Sequence, residues 1–315
     1  MTPNLLLVGT VLVLLGGVTA AGQWLRTRES AALDRRAVES FNRRVQAWWF
    51  FTVVIILAYV FPTLTVLLFA GISFWALREF VTLTPTRIGD HRALFWVFFF
   101  FTPMQFLLVW LDKYGLYSVL IPVFAFLFIA ARAAVYGDYD RFLERIAKVQ
   151  CALMICVYCL SFAPALLYLK MDEQPGKYYP AGMLFFFITI VLASDLLEWF
   201  WSRVYGRHLI AEKIDPVMSW EGVLAGAAST ALLGAILQWA APFPQWWQTS
   251  AMALLIALTG AAGSLTMSAI KRDRGEVSSG NFVEGHGGVL SRIDSICFAA
   301  PVFYHVTRYF FGDNG

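Results

Sequence analysis

The chain has 315 residues, of which 59% are hydrophobic, 17% aromatic and 14% charged, with a formal net charge of +3. A soluble domain carries about 25% charged residues, so this composition, at a mean hydropathy of +0.65, leaves too little polar surface to cover a soluble core. The same figures exclude a disordered chain, and four cysteines cannot staple a chain of this length into a disulfide scaffold.

What remains is an all-α, polytopic integral membrane bundle. A membrane β-barrel would show alternating segments of about ten residues. Here the apolar runs are continuous, and most approach the roughly 20 residues that cross a bilayer core. In chain order they fall at 3–24, 47–61, 63–77, 93–111, 116–135, 150–169, 181–201, 222–240, 248–270 and 292–311, about ten transmembrane helices. The stretch 47–77 is long for one crossing and short for two. Pro62 at its middle suits a hairpin or a kink, and two short crossings are expected. Residues 1–46 read as a first transmembrane helix and a basic cytoplasmic linker, 47–180 as membrane helices, and 181–315 as the region holding the chemistry.

Charge placement orients the bundle. Ten passes put twenty of the Lys and Arg residues on one side, including the six arginines of 25–46, and four on the other: Lys113, Lys170, Lys177 and Arg308. Cytoplasmic loops carry the excess of basic residues, so both termini are expected outside and the basic loops in the cytoplasm. The first run lacks the basic leader and the small-residue cleavage site of a signal peptide and reads as an anchored helix. A bacterial inner membrane is the expected location. The segment 25–46 suits a helix on the inner face or a solvated linker. Trp239, Trp246 and Trp247 suit an interfacial belt. Cys151, Cys156, Cys159 and Cys297 read as packing residues in apolar spans, and Arg78–Glu79 as a local ion pair at a span's rim.

Polar residues within spans are costly and mark function. They concentrate in the last third. Ser194, Asp195 and Glu198 lie in one span, the two acids three residues apart and so on one helix face. The segment Ser268–Asp294 sets Lys271, Arg272, Arg274, His286 and Arg292 among Gly275, Gly280, Gly285, Gly287 and Gly288. Glycine lets backbone approach a ligand, and cations with bare amides make an anion site, phosphate above all. Asp273, Glu276, Glu284 and Asp294 offer oxygen ligands to a hard cation such as magnesium. An ordinary positive-inside loop with glycine turns accounts for the same composition.

The segment resembles the signature of phosphatidate cytidylyltransferases, the CDP-diacylglycerol synthases. Ser268, Lys271, Arg272, Gly285, His286, Gly287, Gly288, Arg292 and Asp294 stand at matching positions. An earlier block is similar to the same family's Ser-Asp, Gly-(Lys/Arg)-His and Pro-x-x-(Thr/Ser)-Trp-Glu-Gly elements. It matches at Ser194, Asp195, Gly206, Arg207, His208, Pro216, Ser219, Trp220, Glu221 and Gly222. The two blocks cover roughly 190–295. The resemblance implies a magnesium-dependent reaction in which CTP and phosphatidate yield CDP-diacylglycerol and pyrophosphate.

The resemblance also implies roles. Lys271, Arg272 and Arg292 would hold phosphates, Arg as a bidentate partner and Lys as a point charge. Asp294, then Asp195, would hold Mg2+. His286 would face the site or bond a loop carbonyl. Gly287 and Gly288 would admit the substrate, and Lys213, Ser219 and Glu221 would bind the nucleotide or orient the loop. CTP, phosphatidate and the bilayer are the implied partners, no nucleic acid is expected, and a homodimer stays open.

Several acids of the pattern are missing. Val277–Ser278 replace a Lys-Asp pair, Ser291 an aspartate, Glu284 a proline, and Ser264 and Met267 two upstream acids. The basic half is kept and the acidic half thinned. A non-catalytic relative binding lipid phosphate or nucleotide, and a CTP-dependent polyprenol kinase, are the alternative readings.

Overall fold

A computed structural model describes residues 61–84, 90–171, 180–239, 241, 243–275 and 288–312, with residues 9, 16, 17, 19, 20, 23, 49 and 56 described singly. The chain divides into two compact units, Met1–Pro62 and Thr63–Gly315. In the first unit the singly described residues are helical, and Trp49 Nε1 donates to Thr19 Oγ1 at 3.1 Å. The expected crossings 3–24 and 47–61 and the segment 25–46 lie almost wholly outside the described residues.

The second unit is helical except for one small hairpin. Its elements are α1 (Pro62–Leu83), α2 (His91–Trp110), α3 (Tyr114–Ala134), α4 (Phe142–Ala165), α5 (Pro180–Tyr205), β1 (Leu209–Ala211), β2 (Asp215–Ser219), α6 (Trp220–Ile236), α7 (Trp246–Asp273) and α8 (Leu290–Phe311). Among the described residues seven helices are long and apolar enough to cross a membrane, one for each expected run from 63–77 to 248–270. The eighth, α8, coincides with the run 292–311 but carries more polar residues. Pro62 opens α1, where the missing N–H costs no bond. The helix then runs six residues past the expected end at 77 and takes in Arg78 and Glu79. α2, α3 and α4 each slip through a π-helical turn, at Val97–Phe101, Leu120–Ala125 and Met154–Cys159. Pro103 and Pro122 remove backbone donors beside or within the first two.

Outward faces are apolar: Leu67, Phe95, Phe99, Phe124, Leu127 and Leu232 are all exposed. Water would not tolerate so continuous an apolar surface, and the chain is an integral membrane protein. Trp239, Trp246 and Trp247 are exposed at the adjoining ends of α6 and α7. All four cysteines are free thiols.

α8 forms the spine of the core, burying Ile293, Ile296, Cys297, Ala299, Ala300, Phe303 and Tyr304. It lies antiparallel to α7, since Lys271 meets Ser291 while Ser264 meets Ser295. One end of the bundle gathers Tyr114, stacked on Tyr304, and Phe243, against Phe311 at 5.0 Å. The other end gathers the C-terminal halves of α1, α5 and α7, the start of α8 and the hairpin. The turns before α2 and between α3 and α4 meet through Arg145, which binds Asp90 and Asp138. Some buried polar groups elsewhere are paired across helices: Gln105 Nε2 donates to the Tyr117 carbonyl and to Ser161 Oγ, each at 3.0 Å, and Tyr117 Oη donates to Tyr304 Oη at 2.7 Å.

Candidate active site

The hairpin connects α5 to α6. Its strands pair antiparallel, Leu209 with Ser219 and Ala211 with Asp215. Asp215 Oδ1 accepts from the N–H groups of Val217 (2.9 Å) and Met218 (3.3 Å), which bends the chain around Pro216. Ser219 is fully buried. Its hydroxyl accepts from Gly222 N–H at 3.1 Å, capping α6, and donates to Ser202 Oγ at 3.3 Å. Glu221, in the first turn of α6, holds the preceding Gly-Arg-His turn. Its Oε2 accepts from Arg207 N–H (3.2 Å) and His208 N–H (3.1 Å), and its Oε1 meets His208 Nδ1 at 2.5 Å. Lys213 is exposed at the hairpin's tip.

α7 is tied to this hairpin. Ser268 Oγ donates to Asp215 Oδ2 at 3.3 Å, and Arg272 Nε donates to the Ile214 carbonyl at 3.2 Å. One turn of α7 thus sets a hydroxyl and a guanidinium against the hairpin where its turn enters β2. Lys271, in the last turn and half-buried, donates from Nζ to Ser291 Oγ of α8. Ser291 occupies a position where the family pattern has an aspartate. Among the described residues Lys271 forms no ion pair, so its charge remains available to an anion.

One turn further along α8, Ser295 bonds both acids. Asp195 Oδ1 on α5 accepts from Ser295 Oγ of α8 at 2.8 Å. The same hydroxyl is 3.0 Å from Ser264 Oγ of α7, and Ser295 N–H donates to Asp294 Oδ1 at 2.9 Å. Ser295 therefore links both predicted metal-binding acids to Ser264, another position where the pattern expects an acid. Three helices contribute to one oxygen-rich cluster. α7 and α8 approach closely here because residue 263 is glycine. A Cβ on Gly263 would lie 2.7 Å from the Asp294 carbonyl oxygen and 2.9 Å from Phe298 Cβ. Gly263→Ala is expected to force the helices apart at Asp294, cost about 1–3 kcal/mol of stability and lower activity. Unfolding and turnover of the purified variant check this; an unchanged unfolding midpoint with full turnover would contradict it.

Not every expected residue joins the cluster. Arg292 is exposed on the first turn of α8, and its side chain forms no hydrogen bond or ion pair among the described residues. His286 and Gly287 lie outside the described residues, as do Gly280, Gly285, Glu276 and Glu284. Gly288 is described, and it abuts an unforeseen residue. The Glu79 carboxylate of α1 occupies the space a Cβ on Gly288 would need, and its Oε2 accepts from Leu290 N–H at 3.2 Å. The expectation of a local Arg78–Glu79 ion pair is therefore corrected. Neighbouring helix positions do not face each other, and Arg78 instead lies 5.8 Å from the Trp75 ring centroid. Sequence reasoning also passed over Asp215 and Ser295. Asp215 had a local signal, its place just before Pro216 in a matching block; Ser295 had none beyond its place beside Asp294.

Among the described residues no three His, Cys, Asp or Glu side chains are grouped to hold a metal. Asp195 and Asp294, each bonded to Ser295, and the hydroxyls of Ser295 and Ser264 nonetheless offer oxygen donors only. Magnesium commonly takes one or two carboxylates, keeps several waters and shares substrate phosphates, so these donors fit it.

Residues 41–310 match the model of the cytidylyltransferase family. The chain belongs to that family. The matched span includes both polar blocks and every helix from α1 to α7. An uncharacterized protein, YnbB, of Escherichia coli K12 is 31% identical over 278 residues, covering 88% of this chain and 90% of YnbB. Relatives of this cytidylyltransferase-family chain that are named phosphatidate cytidylyltransferase match over shorter stretches. The Synechocystis protein is 35% identical over 130 residues (40% of this chain, 44% of the relative) and the Pseudomonas aeruginosa protein 39% over 130 residues (39% and 46%). The chain thus spans about half the length of the relatives that carry that name.

Proposed function

We propose that this protein is a CTP:phosphatidate cytidylyltransferase, making CDP-diacylglycerol and pyrophosphate at the cytoplasmic face of a bacterial inner membrane. A phosphate oxygen of the lipid bonds to the α-phosphorus of CTP. The bond from that phosphorus to the bridging oxygen breaks, and pyrophosphate leaves with the electron pair. Two anions must meet, so the work is charge neutralisation and alignment. The observation that carries the reading is that two serines one turn apart on α8 bind Lys271 of α7 (through Ser291) and Asp195 of α5 (through Ser295), with Asp294 and Ser264 also bonded to Ser295.

Lys271 neutralises phosphate charge at the rim of the cluster. Arg272 fixes the hairpin beside it, and the exposed Arg292 is placed to meet the outer phosphates. Glu221 holds the Gly-Arg-His turn over the same end. Asp195 and Asp294 would hold Mg2+, whose positive charge would offset that of the reacting phosphates. Serines at acid positions leave the cations of the site with fewer internal carboxylates, which favours binding of a polyanion. The lipid reaches the site sideways from the bilayer.

The test is release of pyrophosphate by purified protein in detergent with Mg2+. Release that needs both CTP and phosphatidate is the expected result. Binding of CTP with no turnover above background would leave a non-catalytic relative and sink the enzymatic reading.

A further inference from the structure

We propose that Glu79, on α1 and 211 residues before the amide it binds, is a positioning residue of the active site; this rests on the nucleotidyl-transfer reading above. α8 carries Arg292, Asp294 and Ser295 in its first two turns. The first N–H groups of any helix lack partners within it, and Val289, at the head of α8, supplies no side-chain cap. The acceptor comes instead from another helix: Glu79 Oε2 takes the Leu290 N–H at 3.2 Å. A carboxylate is the favoured group at that end of a helix dipole. Gly288 completes the fit, because any larger residue would strike the Glu79 carboxylate. Gly288 and Leu290 are therefore held at one fixed point where α8 begins, and that point sets where Asp294 and Ser295 face Asp195. Glu79 lies far from both polar blocks in sequence yet determines where the second begins its helix.

The test uses the full chain in nanodiscs, comparing wild type, Glu79→Ala, Glu79→Gln, Gly288→Ala and the Glu79→Ala/Gly288→Ala double variant. Two quantities are read: CTP- and phosphatidate-dependent turnover, and hydrogen exchange of the segment 288–296. Glu79→Ala should lower kcat about tenfold or more, with a smaller change in KM for CTP, since misplacement by a fraction of the site's width is costly to alignment. Exchange at the start of α8 should quicken about fivefold, as when a helix cap is lost. Glu79→Gln keeps an acceptor oxygen and should recover part of both effects. The double variant should be no worse than the poorer single one, because both substitutions break the same contact.

Faster exchange in Glu79→Ala with wild-type kcat and KM would overturn the proposal, reducing Glu79 to a cap without influence on the site. Tighter CTP binding in that variant would also overturn it, because the carboxylate would then be filling a phosphate seat. Should the wild type itself show no turnover, the enzymatic reading fails separately. Exchange and CTP binding then decide: unchanged exchange, or faster exchange with CTP binding as in the wild type, overturns the proposal, and faster exchange with weakened CTP binding sustains it.

Discussion

Asp294→Asn is expected to lower turnover by about 10²–10³-fold, the loss typical when one preorganised charge-stabilising group is removed. The substitution is nearly isosteric. Asparagine keeps a side-chain oxygen that can accept the Ser295 N–H, now bonded to Asp294 Oδ1 at 2.9 Å. The packing of α8 on α7, with Gly263 against the Asp294 carbonyl, is untouched. What disappears is a negative charge beside the Asp195–Ser295–Ser264 cluster. Because Ser264 and Ser291 already replace acids of the family pattern, little remains to compensate. Steady-state kinetics over a range of Mg2+ concentrations, with the unfolding midpoint as a control, checks the expectation. Full activity in a folded Asp294→Asn protein would remove Asp294 from the mechanism.

The largest loss of stability is expected from Arg145→Met. Arg145 lies in the first turns of α4 with its side chain 6% exposed. Its Nη2 and Nε lie 2.8 and 2.9 Å from Asp90 Oδ1, itself on a side chain 6% exposed. Its Nη1 binds Asp138 Oδ2 at 2.7 Å and donates to the carbonyls of Asp140 (3.1 Å) and Asp138 (3.3 Å). One guanidinium thus joins the residue before α2 to the α3–α4 turn. Removing it breaks the buried ion pair with Asp90, and losing one partner of such a pair costs about 3–5 kcal/mol. Adding Asp90→Leu should restore much of the loss, because the pair as a whole is worth far less than the penalty for breaking it. Equilibrium unfolding of the two variants in mixed micelles measures both effects. A single variant as stable as wild type would contradict this account of the turn.

Much of the architecture is legible in the sequence because a bilayer imposes a length. An apolar run near 20 residues has few alternatives to a spanning helix, and the runs between 63 and 270 meet that constraint one by one. The hairpin was not legible: its strands are of three and five residues, one holds Pro216, and their pairing depends on Asp215 and Ser219 finding partners in α7 and α5. Asp195, Lys271 and Asp294 were readable as chemistry, since charge within apolar spans is costly to keep. Their mutual placement was not, because it depends on Ser295 and on the close approach that Gly263 allows. Glu79 was misread for a physical reason. Charges at the rims of spans resemble ordinary interfacial residues, and only tertiary contact separates a solvated rim charge from a capping carboxylate or a buried guanidinium.

Transfer of the cytidylyl group itself can be followed by supplying the purified protein with phosphatidate, Mg2+ and CTP labelled at either the α- or the γ-phosphorus, then extracting the lipid. Label should enter the lipid from α-labelled CTP and not from γ-labelled CTP, which should yield labelled pyrophosphate. Lipid labelled from the γ-position, or an unlabelled lipid in both cases, would contradict it.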